Sequence, residues 1–311
     1  MRKRKWRNIL QTIIVVVILA FWGQVLVKNW DQLANYPWRI SWPSLLQSLV
    51  VLMVELFLVS TIWWRALTLV GKPIPWRRGT AIWWQAQIAR YIPGGVWDVA
   101  GRLVLGRRAG VDKRRMSASV GLEMGLQVLS ASLFLLVALL FGADASVRAY
   151  WPFILLIIVG SLLILTPPVF SALINWGLNI LHRQPLILNI TYGNLILLFL
   201  LRIIAHGALG LAFFLFARGL SSIPWSQAPL MISAYVGAWL IGYLAVFVPT
   251  GIGVREGALV LLLGPQFPFG LATASAIGFR VWIAVRDLLG ALLGTAMARG
   301  ISTSVERDLQ E

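Results

Sequence analysis

Two short segments combine residues that break a helix with residues that hold an anion: Ile92-Pro93-Gly94-Gly95-Val96 and Val248-Pro249-Thr250-Gly251-Ile252-Gly253. Proline lacks an amide donor, and glycine admits backbone conformations that other residues resist. A helix starting after such a break presents unpaired N–H groups and the positive end of its dipole, which suits a phosphate oxygen. Arg90 and Arg102 flank the first break and Arg255 the second, and a guanidinium fork matches phosphate bidentately. Arg90, Gly94, Gly95, Arg102, Gly251, Gly253 and Arg255 are therefore the expected lipid phosphate-binding set. Asp98 and Glu256, just past the breaks, either hold these arginines in place or exchange protons.

Further ionisable residues fall inside apolar runs, where each must be paired, hydrated or functional. Ser119, Glu123, Gln127 and Ser130 recur at helical spacing on one face. Arg202 lies one turn from His206 near the middle of Leu195–Ala217, and Arg280 and Asp287, seven apart, share a face. Gly290 and Gly294 offer a surface for close helix contact. Glu55 sits mid-span with no partner on its own helix, whereas Arg65 is near a span end and can snorkel. Asp98, Glu123, Arg202, Glu256, Arg280 and Asp287 are the expected buried, coupling charges; the plainer reading is an interhelical network that fixes packing. No catalytic residue, cofactor or metal site is expected. The chain has no cysteine and two histidines, and it carries no Walker loop, no His-Glu-x-x-His and no Gly-x-Ser-x-Gly.

The elements that must position these residues are membrane helices. Of 311 residues 59% are hydrophobic and 12% charged, with mean hydropathy +0.81, which excludes a soluble enzyme. The formal charge of +16 does not indicate nucleic acid, because the bases gather at the ends of apolar runs as topology signals. Arg2-Lys3-Arg4-Lys5 precedes the apolar run Ile9–Val27, read as an uncleaved first helix with a cytoplasmic N-terminus. Trp30, Trp38 and Trp42 form an outer aromatic belt before Leu45–Val70. Only residues 79–106 separate Arg78 from the basic loop Arg107–Arg115, too few for two crossings of about 20 residues. A re-entrant hairpin with its tip at Ile92–Gly95 accounts for this, a kinked crossing being the alternative. Crossings follow at Ser117–Gly142, Pro152–Asn175 with a kink at Thr166-Pro167-Pro168, Leu195–Ala217, Pro229–Val248 and Phe269–Ala298. Residues 249–267 either cross or re-enter. The two broken segments echo each other, as in transporter folds built from repeats around a midplane site. The expected fold is a single all-α polytopic domain over 1–311, with about eight membrane segments, one or two of them re-entrant, and both ends inside.

The combination of Pro93-Gly94-Gly95 with Arg102, an embedded Glu123 after a basic loop, and Pro249-x-Gly251-x-Gly253-x-Arg255-Glu256-Gly257 resembles the transmembrane, flippase-like domain of bacterial lysyl-phosphatidylglycerol synthases. The resemblance covers most of the chain and implies lipid translocation, with Arg102, Glu123, Arg255 and Glu256 as site residues. A synthase domain is not expected, because the chain stops at Glu311, about a dozen residues past the last apolar run. The function expected is movement of an anionic or polyprenyl-phosphate-linked lipid across the inner membrane. The alternative is a subunit that docks a glycosyltransferase or lipid-modifying enzyme through its basic loops; an intramembrane enzyme acting on lipid phosphate is disfavoured by the scarcity of acids.

Overall fold

A computed structural model describes residues 38–71, 74–91, 97–142, 148–180, 182–188, 190–245, 251, 253–263, 267 and 269–308. The apolar run at 9–27, Trp30, Gly94, Gly95 and Pro249-Thr250 lie outside them. Ten α-helices and no strand occur among the described residues: α1 (Trp42–Val70), α2 (Trp76–Gln87), α3 (Trp97–Arg108), α4 (Lys113–Phe141), α5 (Trp151–Ile164), α6 (Pro167–Ile180), α7 (Tyr192–Leu220), α8 (Ala228–Leu244), α9 (Val254–Leu263) and α10 (Phe269–Asp308). Five stretches are long and apolar enough to cross a membrane: α1, α4, α7, Trp225–Leu244 and Gly270–Ala298. The bent pair α5–α6, taken as one span, makes a sixth, and with the short helices of the first hairpin and α9 the described residues form a multi-pass membrane protein of about eight segments.

Contacts between helix ends divide the bundle into two poles. A Cβ placed on Gly71, after α1, would lie 2.8 Å from Cδ of Arg115 at the start of α4. Arg114 Nη1 donates to the carbonyl of Gln184 (2.9 Å), ahead of α7. This is the basic pole, and α4 begins there on an Asp112 cap whose carboxylate accepts from the Arg114 amide. At the other pole the amides of Arg39 and Ser41, before α1, donate to the carbonyls of Leu220 and Gly219 at 3.1 and 2.8 Å. Trp38, Trp42, Trp151 and Trp225 are exposed there, so the belt expected from Trp38 and Trp42 extends to two further tryptophans. Small residues let the long helices approach: a Cβ on Gly219 would meet Leu45, and one on Gly290 would meet Leu56, each at 2.5 Å.

Between the poles stand two broken hairpins. Helices α2 and α3, 12 residues each, rise only about 18 Å. They return to the pole they leave, since Arg78 Nη2 donates to the carbonyl of Arg108 at 3.4 Å. The second hairpin opens toward the aromatic pole. A Cβ on Gly142, after α4, would collide with Leu230 of α8 and lie 3.4 Å from the carbonyl oxygen of Leu262 of α9, so the start of α8 and the end of α9 meet. Inside, Gly242 packs so closely on Arg255 that an added Cβ would sit 2.8 Å from the arginine Cβ. Gly251, at φ +62°, rests directly on the Gly242 backbone; side chains resist both that torsion and that approach. The described residues of the 249–267 region, 251 and 253–263, thus lie back against α8.

Two expectations are corrected. The chain between α5 and α6 does not merely kink at Pro167-Pro168 but turns by 81°, because the first turn of α6 begins on two prolines that lack amides for α5 to continue through. Nor does the last helix stop near Ala298; α10 continues to Asp308, its polar end needing no apolar run to stay helical.

Candidate functional site

The inner ends of the two hairpins bring together most of the buried charges. Arg102 of α3 is ion-paired with Glu123 of α4, and Asp98, one turn back, lies 3.9 Å from the same guanidinium. Trp83 Nε1 of α2 donates to the second oxygen of Glu123 at 3.3 Å. The Trp63 ring of α1 covers Arg102 at 5.6 Å, so the pair is walled by indoles on two sides. Ser119, Glu123 and Ser130 are buried and Gln127 half-buried, as the polar stripe on α4 predicts.

A second cluster joins α1, the end of the first hairpin and α10. Arg286 is ion-paired with Glu55 and with Asp287 (2.7 Å). Asp287 also accepts from the Tyr91 hydroxyl at 2.9 Å and faces Arg90 at 3.4 Å. Glu55 therefore has a partner 231 positions away, which no pattern within α1 signals. Tyr91 is a site residue that sequence reasoning missed, its only signal being that it adjoins Arg90; Arg286, an ionisable residue inside an apolar run, joins Asp287 in the coupling set.

The third cluster belongs to the second hairpin. Glu256 of α9 is ion-paired with Arg280 of α10, and its other oxygen accepts from the amide of Gly253 at 2.7 Å. This is the reach-back half of a capping box, with a carboxylate at the positive end of the helix. The amide expected to meet a phosphate is thus held by the chain's own acid, and a ligand there would have to displace it. Glu256 serves Arg280 rather than its neighbour Arg255. Arg255 has no carboxylate within 4 Å among the described residues and lies over the Tyr235 ring at 4.6 Å. Tyr235, buried and with a hydroxyl that has no hydrogen-bond partner among the described residues, was also missed.

On α7, His206 shares a hydrogen bond with Ser130 (2.9 Å) and sits between Trp239 and Phe134. Arg202 is buried one turn away. Arg90, Arg102, Arg202, Arg255, Arg280 and Arg286 thus face Glu55, Asp98, Glu123, Glu256 and Asp287, leaving an excess of positive charge inside the bundle. Among the described residues no cluster of three or more potential metal ligands of the His, Cys, Asp and Glu types occurs. Outside the spans, slight burial pushes the Asp112 carboxyl up, but hydrogen bonds from Arg114 and the charges of Arg114 and Arg115 outweigh it and hold the group below the usual carboxylate range.

An arrangement of this kind can draw an anionic group to the bundle interior and exchange it against carboxylates already bound to arginine. No curated protein matches the chain. The family described as the lysylphosphatidylglycerol synthase TM region matches residues 8–289.

Proposed function

Because the chain belongs to the lysylphosphatidylglycerol synthase TM region family, we propose that it moves an anionic or polyprenyl-phosphate-linked lipid between the leaflets of the inner membrane, with its N-terminus in the cytoplasm. The observation that carries this reading is the positive excess at the place where the two oppositely opening hairpins end. A permanent guanidinium inside a bilayer costs at least about 2.5–3.5 kcal/mol, and a transient anion offsets that cost. Hairpins that open toward opposite poles also suit alternating access, in which one interior site is reached from each leaflet in turn.

On this reading Arg255 makes the first phosphate contact, since it competes with no carboxylate of its own. Arg102 joins by exchanging Glu123 for the headgroup, and Glu256 holds the second hairpin closed through Arg280. The chain acts by binding and release and makes or breaks no covalent bond.

The test is a leaflet-specific quench assay in liposomes containing purified protein and labelled phosphatidylglycerol or phosphatidylcholine. Wild-type protein is expected to accelerate the anionic lipid, and Arg255→Ala to reduce that rate at least about tenfold, the loss expected for one charge-assisted contact. Unchanged movement by folded Arg255→Ala removes the phosphate contact from this residue. No acceleration of either lipid, or of a polyprenyl-phosphate lipid, by folded wild type refutes the translocation reading.

A further inference from the structure

Arg202 differs from every other arginine in the interior. It is 3% exposed, its Nε and Nη1 are sealed from solvent, and neither has a hydrogen-bond partner among the described residues. The two carboxylates whose fields reach it, Glu123 and Glu55, are already committed: Glu123 to Arg102 and Trp83, Glu55 to Arg286. Nor, among the described residues, is an aromatic ring stacked on it, as Trp63 is on Arg102 and Tyr235 on Arg255. A guanidinium stays protonated at any physiological pH, so it cannot relieve its isolation by losing a proton.

A buried ion with no counter-ion is among the least favourable arrangements in a fold, costing several kcal/mol in a low-dielectric interior. A second orphan donor, Nε of Arg102, is equally sealed, and the charge of Arg102 is among those that act on Arg202. Two sealed donors are thus left open while the carboxylates that act on Arg202 already have partners, Glu123 with Arg102 and Glu55 with Arg286.

We infer that Arg202 is the central anchor for a phosphodiester, with Arg102 Nε as its second donor, and that the translocated lipid passes through this point between its contacts with the two hairpins. The inference rests on the translocation reading and adds to it a specific resting position for the phosphate. The same chemistry would accept inorganic phosphate, so the source of the anion is settled by comparing ligands.

Unfolding midpoints of purified protein in neutral detergent, with and without added phosphatidylglycerol, phosphatidylcholine or inorganic phosphate, provide the test. Removing an unpaired buried charge makes an opposite-sign prediction: Arg202→Met raises the midpoint of the ligand-free protein and abolishes the upward shift caused by phosphatidylglycerol. Arg202→Lys, which keeps charge but loses the fork, shifts half-saturation by about tenfold toward higher lipid. A lower ligand-free midpoint in Arg202→Met marks a structural arginine and overturns the inference, as does a wild-type lipid shift in either variant. A shift with inorganic phosphate equal to that with lipid, lost in Arg202→Met, keeps the anion site and overturns its assignment to the lipid. Wild type that shows the Arg202-dependent shift but moves no lipid refutes translocation while leaving the site in place; wild type that moves lipid undiminished by Arg202→Met refutes the site alone.

Discussion

In the hairpin that opens at the basic pole, the helix after the break supplies the arginine, Arg102, and the next helix the acid, Glu123. In the hairpin that opens at the aromatic pole the polarity is reversed: the helix after the break supplies the acid, Glu256, and the next helix the arginine, Arg280. Surroundings differ as well. The Arg102 side chain is 5% exposed and walled by Trp63 and Trp83, whereas that of Arg280 is 26% exposed. The internal echo is therefore one of geometry and not of residue chemistry. Each break is followed shortly by an arginine, Arg102 and Arg255, yet in the fold the counterpart of Arg102 is Glu256, each being the residue that ties a post-break helix to its successor. One tie is dry and the other partly wet, so the two hairpins should open at different cost.

Charge removal separates the two ties most strongly. Glu123→Gln is expected to lower unfolding stability in detergent by about 3–5 kcal/mol, because it strands Arg102 in a dry site. Exchanging the pair as Arg102→Glu with Glu123→Arg should recover part of that loss. Next comes the backbone. Gly251→Ala should cost about 2–3 kcal/mol, since a side chain there meets φ +62° and lies 2.5 Å from the Gly242 carbonyl oxygen. Gly257→Ala, inside the helix α9 that follows and with nothing within 4 Å of its added Cβ, should instead stabilise by about 0.5–1 kcal/mol. Glu256→Gln follows at about 1.5–2 kcal/mol, because Arg280 reaches water and glutamine still accepts from the Gly253 amide. Should Glu256→Gln cost as much as Glu123→Gln, the contrast between dry and wet ties is wrong. The smallest loss is at the exposed cap beyond the first hairpin: Asp112→Ala should cost about 1 kcal/mol at neutral pH. Since the folded-state carboxyl titrates below its usual range, its contribution is present above the unfolded value and fades as pH falls through the folded one. Unfolding curves of wild type and Asp112→Ala should accordingly converge in acid.

The long helices α1, α4 and α7 were legible because an apolar run of sufficient length has one outcome in lipid. The return of α2–α3 to its own pole was legible from charge arithmetic alone: residues 79–106 lie between two basic loops and are too few to cross twice. Pairings were not legible. Glu55 is buried against Arg286, yet nothing within α1 indicates which distant helix answers it, because an ion pair between helices is fixed by packing and not by period. Adjacent residues Arg286 and Asp287 both serve the interior, which the helical period alone disfavours; their mutual bond at 2.7 Å lets one position turn inward with the other. Tyr91, Tyr235 and Trp83 were passed over because aromatic residues in a membrane chain ordinarily read as lipid-facing or interfacial, and only the contact reveals a polar duty.

Helix α5 has 14 residues and rises about 21 Å, roughly 9 Å less than the hydrocarbon thickness, before the chain turns through 81°. Helix α6 then runs across the line of α5, with Val169, Leu173, Trp176 and Ile180 exposed along one stripe. This flank is a low wall facing acyl chains. A bilayer meeting a wall shorter than itself accommodates by compressing, at a fraction of a kcal/mol per Å, so the consequence of the bend is elastic: α5 sets up a local hydrophobic mismatch on this flank.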